Sequence, residues 1–207
     1  MLSQGEDLIQ SLFAGTGSRP PVLFIYICSR LKVSASISPI HGGRTVSGHC
    51  INPRTTIKMI LDRKDFDINN KYLIEKLIIK TPLRLGLDSI FQDHACFIYL
   101  MEGEVSYTSP TDSLSIQTEE SVLLRCGNYF ANALQKHPAK TCEIFAVHLY
   151  SDILKELYKK EFPTFIKDYT HKPYIKKIKK QSIITHFIQS LNFYFENPNL
   201  LRTSCLN

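Results

Sequence analysis

The chain has 207 residues, of which 43% are hydrophobic and 21% charged, proportions that permit a packed globular core. Residues 1–58 contain six Lys or Arg and two acidic residues. Residues 59–207 contain the other nineteen basic and seventeen acidic residues, so this part is almost neutral. That part lacks the strong basic field that phosphate binding needs. The longest early apolar run, residues 22–28, is far shorter than the ~20 residues that cross a bilayer, so we expect a soluble, cytoplasmic chain without membrane contact.

The first 58 residues differ from the rest. They combine a Gly/Ser/Pro-rich stretch at 14–21 with a loose Ser, Gly, Pro and His segment at 34–53, and no period of 2 or 3.6 persists. Such a segment buries too little apolar surface to offset its ordering entropy, so we predict that residues 1–58 are poorly ordered. Patterned sequence begins at Met59, and whether the preceding residues are native coding sequence stays open.

Strand patterns dominate from Tyr72 onward. Short segments rich in β-formers are separated by turn residues such as Gly103 and Gly127, a spacing that predicts an antiparallel barrel or sandwich. The predicted strands are 72–80, 95–101, 104–108, 114–117, 122–124, 129–134 and 142–150.

The period changes to that of helices after Tyr150. Ser151 is a suitable N-cap for a helix that ends before Pro163, and a second helix is predicted from about Tyr174 to Glu196. The lysines of residues 172–180 are predicted to lie on a solvated face, with a partner or nucleic-acid patch as the alternative. The second helix carries an apolar stripe that either packs on the barrel or pairs with a second copy: Ile184, Phe187, Ile188, Leu191, Tyr194 and Phe195.

Six cysteines are scattered without a C-x-x-C pair, which argues against a disulfide framework or a zinc site and fits a reducing compartment. Cys96, Cys126 and Cys142 stand in apolar runs and are predicted to be small buried hydrophobes.

Three pieces of the chain carry a family resemblance: EGEV at 102–105, LLRCGNYFAN at 123–132 and AVHLYSDILK at 146–155. With them, residues 65–199 resemble the N-terminal cupin-like domain of AraC-type transcription regulators, particularly those of Bacteroidetes. The resemblance implies a double-stranded β-helix barrel followed by dimerisation helices. It also implies that a separate helix-turn-helix region of ~100 residues reads DNA. Residues after Pro198 are too few for that region, so we expect a fragment, a truncated regulator or an unusual member.

Many cupins are metal enzymes, and a metal site would need several imidazoles and a carboxylate facing the barrel interior. The first family motif would read His-x-His followed by Glu, whereas this chain has His94-Ala95-Cys96 with Glu102 or Glu104. No His follows Gly127 where the second motif would supply one. We therefore expect no metal, no cofactor and no catalysis. A metal-dependent cupin enzyme and a purely structural, partner-binding fragment remain alternatives.

The resulting prediction is a mainly β fold with C-terminal helices. It places a cupin-like barrel at 59–150, a helical segment for packing and dimerisation at 151–199 and a tail at 200–207. The expected function is ligand sensing or dimerisation for transcription control, with a second copy and a small-molecule effector as partners. Candidate ligand-binding residues of the barrel interior, with ordinary core filling as the alternative, are Phe97, Tyr99, Tyr107, Tyr129, Phe145 and His148.

Overall fold

A computed structural model of the protein describes residues 60–68, 71–86, 94–125, 127–134, 140–157 and 175–197. The predictions for residues 1–58, Cys126 and Pro198 lie outside this part of the chain. The strands are β1 Ile60–Ile68, β2 Lys71–Lys80, β3 Leu83–Gly86, β4 His94–Glu102, β5 Glu104–Thr108, β6 Ser113–Gln117, β7 Ser121–Leu124, β8 Phe130–Ala133, β9 Thr141–Tyr150 and β10 Ile175–Ile178. Two helices follow the β-rich part, α1 Ser151–Leu157 and α2 Ser182–Glu196.

The strands form two sheets. One has six strands in the order β1-β2-β9-β4-β7-β10, and the other has four in the order β3-β8-β5-β6. The pairings β1–β2, β2–β9, β4–β7, β3–β8, β5–β6 and β5–β8 are all antiparallel. The predicted mainly β fold with C-terminal helices is confirmed.

One hydrophobic cluster receives side chains from both sheets. In the four-stranded sheet, side chains of β5 alternate between the two faces. Val105 and Tyr107 are buried in the cluster, while Ser106 and Thr108 point away from it. The six-stranded sheet contributes alternate residues of β4 and β9 to the same cluster, among them Ile98. We call this shared cluster the inner core, and the surface of each sheet that faces it the inner face.

The region before α2 differs from the prediction. Residues 175–178 form β10 beside β7, where the periodicity predicted the start of the second helix. Ile178 is buried, and pairing with β7 satisfies backbone groups that a helix would otherwise use. Lys176 and Lys177 therefore lie on an edge strand rather than on a helix face, and Lys177 Nζ lies 2.6 Å from Glu120 Oε1.

The chain divides into two compact units. The strands up to Leu149, with residues 175–177, belong to one unit, and both helices belong to the other. Helix α2 begins after Gln181, whose extended backbone (φ −133°) marks the N-terminal end of the helix. Its backbone carbonyls at Phe193 and Tyr194 accept hydrogen bonds from the Asn197 N–H, which closes its last turn.

Gly103 makes the tight connection between β4 and β5 with a positive φ of 106°. A Cβ placed there would lie 3.0 Å from Cys142 Sγ and 3.3 Å from Cys142 Cα. We predict that Gly103→Ala lowers the free energy of unfolding by about 2 kcal/mol, because both the backbone conformation and the close approach disfavour a side chain. Urea unfolding measures this change. Gly86→Ala, in a strand, is the matched control and should stay within about 1 kcal/mol of the unmodified chain; equal effects would contradict the prediction.

Candidate functional site

A row of polar side chains crosses the inner face of the six-stranded sheet at one end. Strands β1, β2, β9 and β4, which are neighbours in that order, contribute Arg63, Glu75, His148 and His94. Glu75 lies opposite Ala146, an inner-core residue, which places the carboxylate on the inner face. His148 and His94 alternate with core residues of β9 and β4 and so point to the same side. We call these four residues, with Asp65, the polar row.

Each member of the polar row contacts the next. His94 Nε2 lies 2.9 Å from His148 Nδ1, and the two ring centroids are 5.1 Å apart. His148 Nε2 lies 2.8 Å from Glu75 Oε2. The other carboxylate oxygen of Glu75 forms an ion pair with Arg63 Nη2. Arg63 Nε is 3.2 Å from Asp65 Oδ2.

The row runs from solvent into the protein. The Arg63 side chain keeps 33% of its surface exposed and its guanidinium stands 4.3 Å from the centre of the Tyr72 ring, whereas both histidines are buried. The Arg63 Nε–H contact with Asp65 is an ion pair without hydrogen-bond geometry, since this buried N–H has no acceptor within the described ranges. The outer end of the row is thus held by the ion pairs of Arg63, by its hydrogen bond to Glu75 and by its cation–π contact with Tyr72. The inner end is held by hydrogen bonds of the two imidazoles.

The charge of Glu75 fixes the protons of the inner end. Burial raises the pKa of this carboxyl, but hydrogen bonds from His148 and Arg63 and the electrostatic attraction of both residues outweigh burial, and the net shift is downward. An ionised carboxylate only accepts hydrogen bonds, so His148 carries a proton on Nε2. Hydrogen bonding across the rings then requires a single proton between His148 Nδ1 and His94 Nε2.

Glu75 should make the fold sensitive to acid. Its pKa is lower in the folded chain than its ordinary value of 4.5, so its contribution is fully present above that value and is lost as pH falls through the folded pKa. Asp65 acts with the opposite sign, because burial raises its pKa more than Arg63 lowers it. We predict that Glu75→Gln is less stable than the unmodified chain at pH 7, and that this difference shrinks between about pH 5 and pH 3. Urea unfolding at stepped pH measures it; a difference that stays constant to pH 3 would contradict the assignment.

The two buried thiols of the inner core are poor nucleophiles. Burial raises the pKa of Cys142 to about 12 and raises that of Cys96 well above its usual range. Burial, with the neighbouring thiols, also raises the pKa of the Tyr107 hydroxyl. These groups therefore stay protonated at neutral pH, and both cysteines are free, as the sequence predicts.

No group of three or more His, Cys, Asp or Glu in the described ranges has a geometry that could hold a metal ion. The carboxylate, guanidinium and paired imidazoles instead form a hydrogen-bonding set that can donate, accept and carry a proton.

The six residues predicted to line the barrel interior are all buried, but they fall on two faces. Tyr107 and Tyr129 belong to the inner core, and His148 stands in the polar row. Phe97, Tyr99 and Phe145 alternate with inner-core residues and point to the opposite face of the six-stranded sheet, where Lys76 Nζ stands 6.0 Å from the Phe145 ring centre. These three therefore lie on the face away from the inner core, a placement that the sequence does not reveal because a strand buried on both faces gives no sign of which side is inner. Their role in ligand binding stays a prediction.

The predicted dimerisation stripe of α2 is already covered within one chain. Tyr194 is partly exposed, and the other five residues are buried: Ile184, Phe187, Ile188, Leu191 and Phe195. Of the two alternatives that the sequence leaves open, the structure favours packing within the chain. The exposed large apolar side chain of this helix is Phe193, whose ring lies edge-on to Tyr194 at 5.8 Å.

The polar row contains residues that the sequence does not single out. Arg63 and Glu75 have no motif around them, and His94 stands out only as part of an incomplete metal motif. One available signal is Glu75 itself, a carboxylate on the same face of β2 as the apolar Leu77 and Ile79. A buried acid of this kind needs a partner, although its identity cannot be read from the sequence.

The fold and the site define a mainly β domain with a buried, charge-bearing hydrogen-bond network. Residues 95–206 match the family model described as the ExsA N-terminal regulatory domain. Because this match spans more than half of the 207 residues, the chain belongs to that family. It is thus a regulatory domain of a transcription factor. No curated protein matches the chain.

Several solved structures are similar to part of the chain. The cupin domain of Cnp3 from Schizosaccharomyces pombe is 11% identical, with 49% of this chain and 74% of that chain covered and a TM-score of 0.37. The Cupin_2 domain of an XRE-family transcriptional regulator from Enterobacter cloacae is 8% identical, with 37% and 79% covered and a TM-score of 0.32. An HTH_3-family transcriptional regulator from Vibrio cholerae is 11% identical, with 48% and 60% covered and a TM-score of 0.35. At TM-scores below 0.5, the fold assignment rests on the strand topology and the family match.

Neither helix that the structure describes is long and apolar enough to span a membrane.

Proposed function

We propose that the chain is the effector-responsive regulatory domain of a cytoplasmic AraC-type transcription regulator, with DNA contacted through a helix-turn-helix region. The family match supports the regulatory class. The observation that carries the effector response is the polar row, a set of charged and hydrogen-bonding groups held on the inner face of the sheet.

A buried ionic network is weak evidence for stability alone. Taking Glu75 and His148 out of water costs free energy that well-packed apolar side chains of similar volume would not. Recognition explains their presence better, since a small molecule inside the barrel would need defined donors and acceptors to be oriented. The neighbouring inner-core residues, such as Ile98 and Ala146, offer such a molecule only apolar contact.

A thermal-shift screen against a metabolite panel tests the effector response. A molecule that binds the folded domain raises the midpoint of unfolding, and saturation at a hundredfold excess over the dissociation constant corresponds to about 2.7 kcal/mol. The shift should vanish in His148→Gln and persist in His186→Gln, which changes an exposed histidine of α2. A full panel without any shift would count against an effector.

We further propose that the domain acts as a homodimer. The resemblance to AraC-type regulators implies dimerisation helices, and Phe193 is the large apolar side chain that α2 leaves 53% exposed. Aromatic side chains of this kind are enriched at the centres of protein interfaces.

Fusion of the chain to a DNA-binding domain that represses a reporter only as a dimer tests this assembly. We expect repression by the unmodified chain and loss of repression by Phe193→Glu. Phe130→Glu is the matched control, because Phe130 is the other exposed phenylalanine, at 46%, and lies on β8. A monomeric mass in analytical ultracentrifugation at micromolar concentration, or equal repression by both variants, would exclude this dimer.

A further inference from the structure

We propose that strand β6 pairs edge to edge with β6 of a second copy of the chain. Strand β6 ends the four-stranded sheet and pairs only with β5 in the part of the chain that the structure describes. In the proposed pairing, the two strands run antiparallel about a two-fold axis at Leu114, so Ser113 of each copy faces Ser115 of the other. This interface is separate from the α2 homodimer proposed above and does not depend on it.

The edges of the two sheets differ in how well they are protected against pairing. Strand β1 has charged side chains at five of its nine residues, and its register with β2 shifts twice. Strand β10 reads IKKI, and β3 follows Pro82 directly and contains Arg84. Strand β6 reads SLSIQ, without charge, Pro or Gly, and its register with β5 is unbroken over all five residues. Of these four edges, β6 is therefore the one without the usual protection.

The backbone groups of Ser113 and Ser115 point away from β5. The Gln117 N–H donates to Glu120 Oε2 at 2.9 Å, and the Gln117 carbonyl accepts from the Glu120 N–H at 2.9 Å. Gln117 therefore does not exchange hydrogen bonds with Glu104, its partner on β5. Antiparallel strands alternate hydrogen-bonded and non-hydrogen-bonded pairs, so the backbone groups of Ser115 and Ser113 are directed outward like those of Gln117. These two residues offer two N–H and two C=O groups to an added strand.

Leu114 favours a second copy as the added strand. Its side chain packs against the inner core but is only partly buried, whereas Ile116 on the same face is fully buried. A two-fold axis at Leu114 brings the two leucine side chains together as a non-hydrogen-bonded pair, in which side chains are closest. The same axis sets the outward groups of Ser113 against those of Ser115, which gives four backbone hydrogen bonds. Because the strand is uncharged, no like charges meet.

Disulfide trapping of the full chain tests this register. Ser113 and Ser115 of opposite copies would have Cα atoms about 5.5 Å apart, within reach of a disulfide, whereas two Ser115 residues would be offset along the strands. Under mild oxidation we expect Ser113→Cys mixed with Ser115→Cys to form a cross-linked dimer, and neither variant to do so alone. One variant is labelled with nitrogen-15, so that mass spectrometry identifies the mixed product.

Ser106→Cys mixed with Ser115→Cys is the matched control for the trapping experiment. Ser106 lies on the same face of the sheet but on β5, between β6 and β8. The unmodified chain measures the background from its own six cysteines. Cross-linking of Ser115→Cys with itself, equal cross-linking in every mixture, or no cross-linking above background would each overturn the proposal. The last result would leave β6 to an extended segment of a different protein.

Charged variants give a second test that needs no oxidation. Like charges directly opposite each other destabilise a strand pair, and opposite charges stabilise it. Ser113→Lys combined with Ser115→Lys should therefore dissociate more readily than Ser113→Lys combined with Ser115→Glu, by about fivefold in dissociation constant for two such pairs. Sedimentation in a Phe193→Glu background, which removes the proposed α2 contact, measures this difference. Equal sedimentation of the two double variants would contradict the pairing, while the reporter response to Phe193→Glu alone tests the α2 homodimer separately.

Discussion

Phe145→Ala is expected to lower the free energy of unfolding by about 4 kcal/mol, the largest effect of any substitution considered for this protein. The Phe145 side chain is completely buried, and on the face opposite the inner core it lies beside Lys76, its cross-strand neighbour. Removing the ring leaves a cavity and also uncovers the stem of a buried lysine, whose ammonium lies 3.0 Å from Glu143 Oε1. Urea unfolding followed by circular dichroism measures the change.

Phe130→Ala is the matched control for that experiment. The Phe130 ring is 46% exposed and stands on the solvent side of the four-stranded sheet, so its removal should cost less than about 1 kcal/mol. A small cost at both positions would mean that Phe145 already borders a cavity, and it would return Phe145 to the set of candidate ligand-binding residues.

The placement of Phe145 on the face away from the inner core separates what the sequence predicts well from what it does not. Strand β5 alternates polar and apolar residues, so its inner side is evident from the residues alone. Strands β4 and β9 are apolar on successive positions because both faces are buried. Their existence and length are therefore predictable, but the direction of Phe97, Tyr99 and Phe145 depends on which face meets the second sheet.

Strand β10 is a second feature that the sequence alone does not predict. Residues 175–178 read Ile-Lys-Lys-Ile, a spacing that suits one turn of a helix as well as an edge strand. Pairing with β7 decides the outcome, and β7 is about fifty residues earlier in the chain, so no local window contains this information. The apolar stripe of α2 is long and regular, and there the helix itself was predicted correctly.

The polar row is the feature that the sequence predicts least well. His94 and His148 are 54 residues apart in sequence, and the two residues meet only because β4 and β9 are neighbours in the sheet. Local patterns describe each of them as a polar residue in an apolar strand. The identity of the partners follows from strand order and register, which sequence periodicity does not supply.

Glu75→Ala carries the second large expected effect, a loss of about 3 kcal/mol in the free energy of unfolding. The substitution leaves His148 Nε2 without the Glu75 acceptor and leaves Arg63 with Asp65 as its remaining ion-pair partner among the polar row, and removing one member of a buried pair costs far more than the pair contributes when intact. The value lies at the low end of the usual range because Arg63 keeps a third of its side-chain surface in solvent, where water can replace the carboxylate.

Glu120→Ala is the control that separates a buried network from ordinary surface pairing. Glu120 forms an ion pair with Lys177 in which both side chains are substantially exposed, so its loss should cost less than about 1 kcal/mol. A double-mutant cycle of Glu75→Ala with His148→Gln then isolates the coupling between the two residues. Coupling above about 1 kcal/mol would show that Glu75 and His148 act as one network. Additive losses would mean that the carboxylate interacts energetically with Arg63 and not with His148. That result would contradict the assignment of a proton to His148 Nε2.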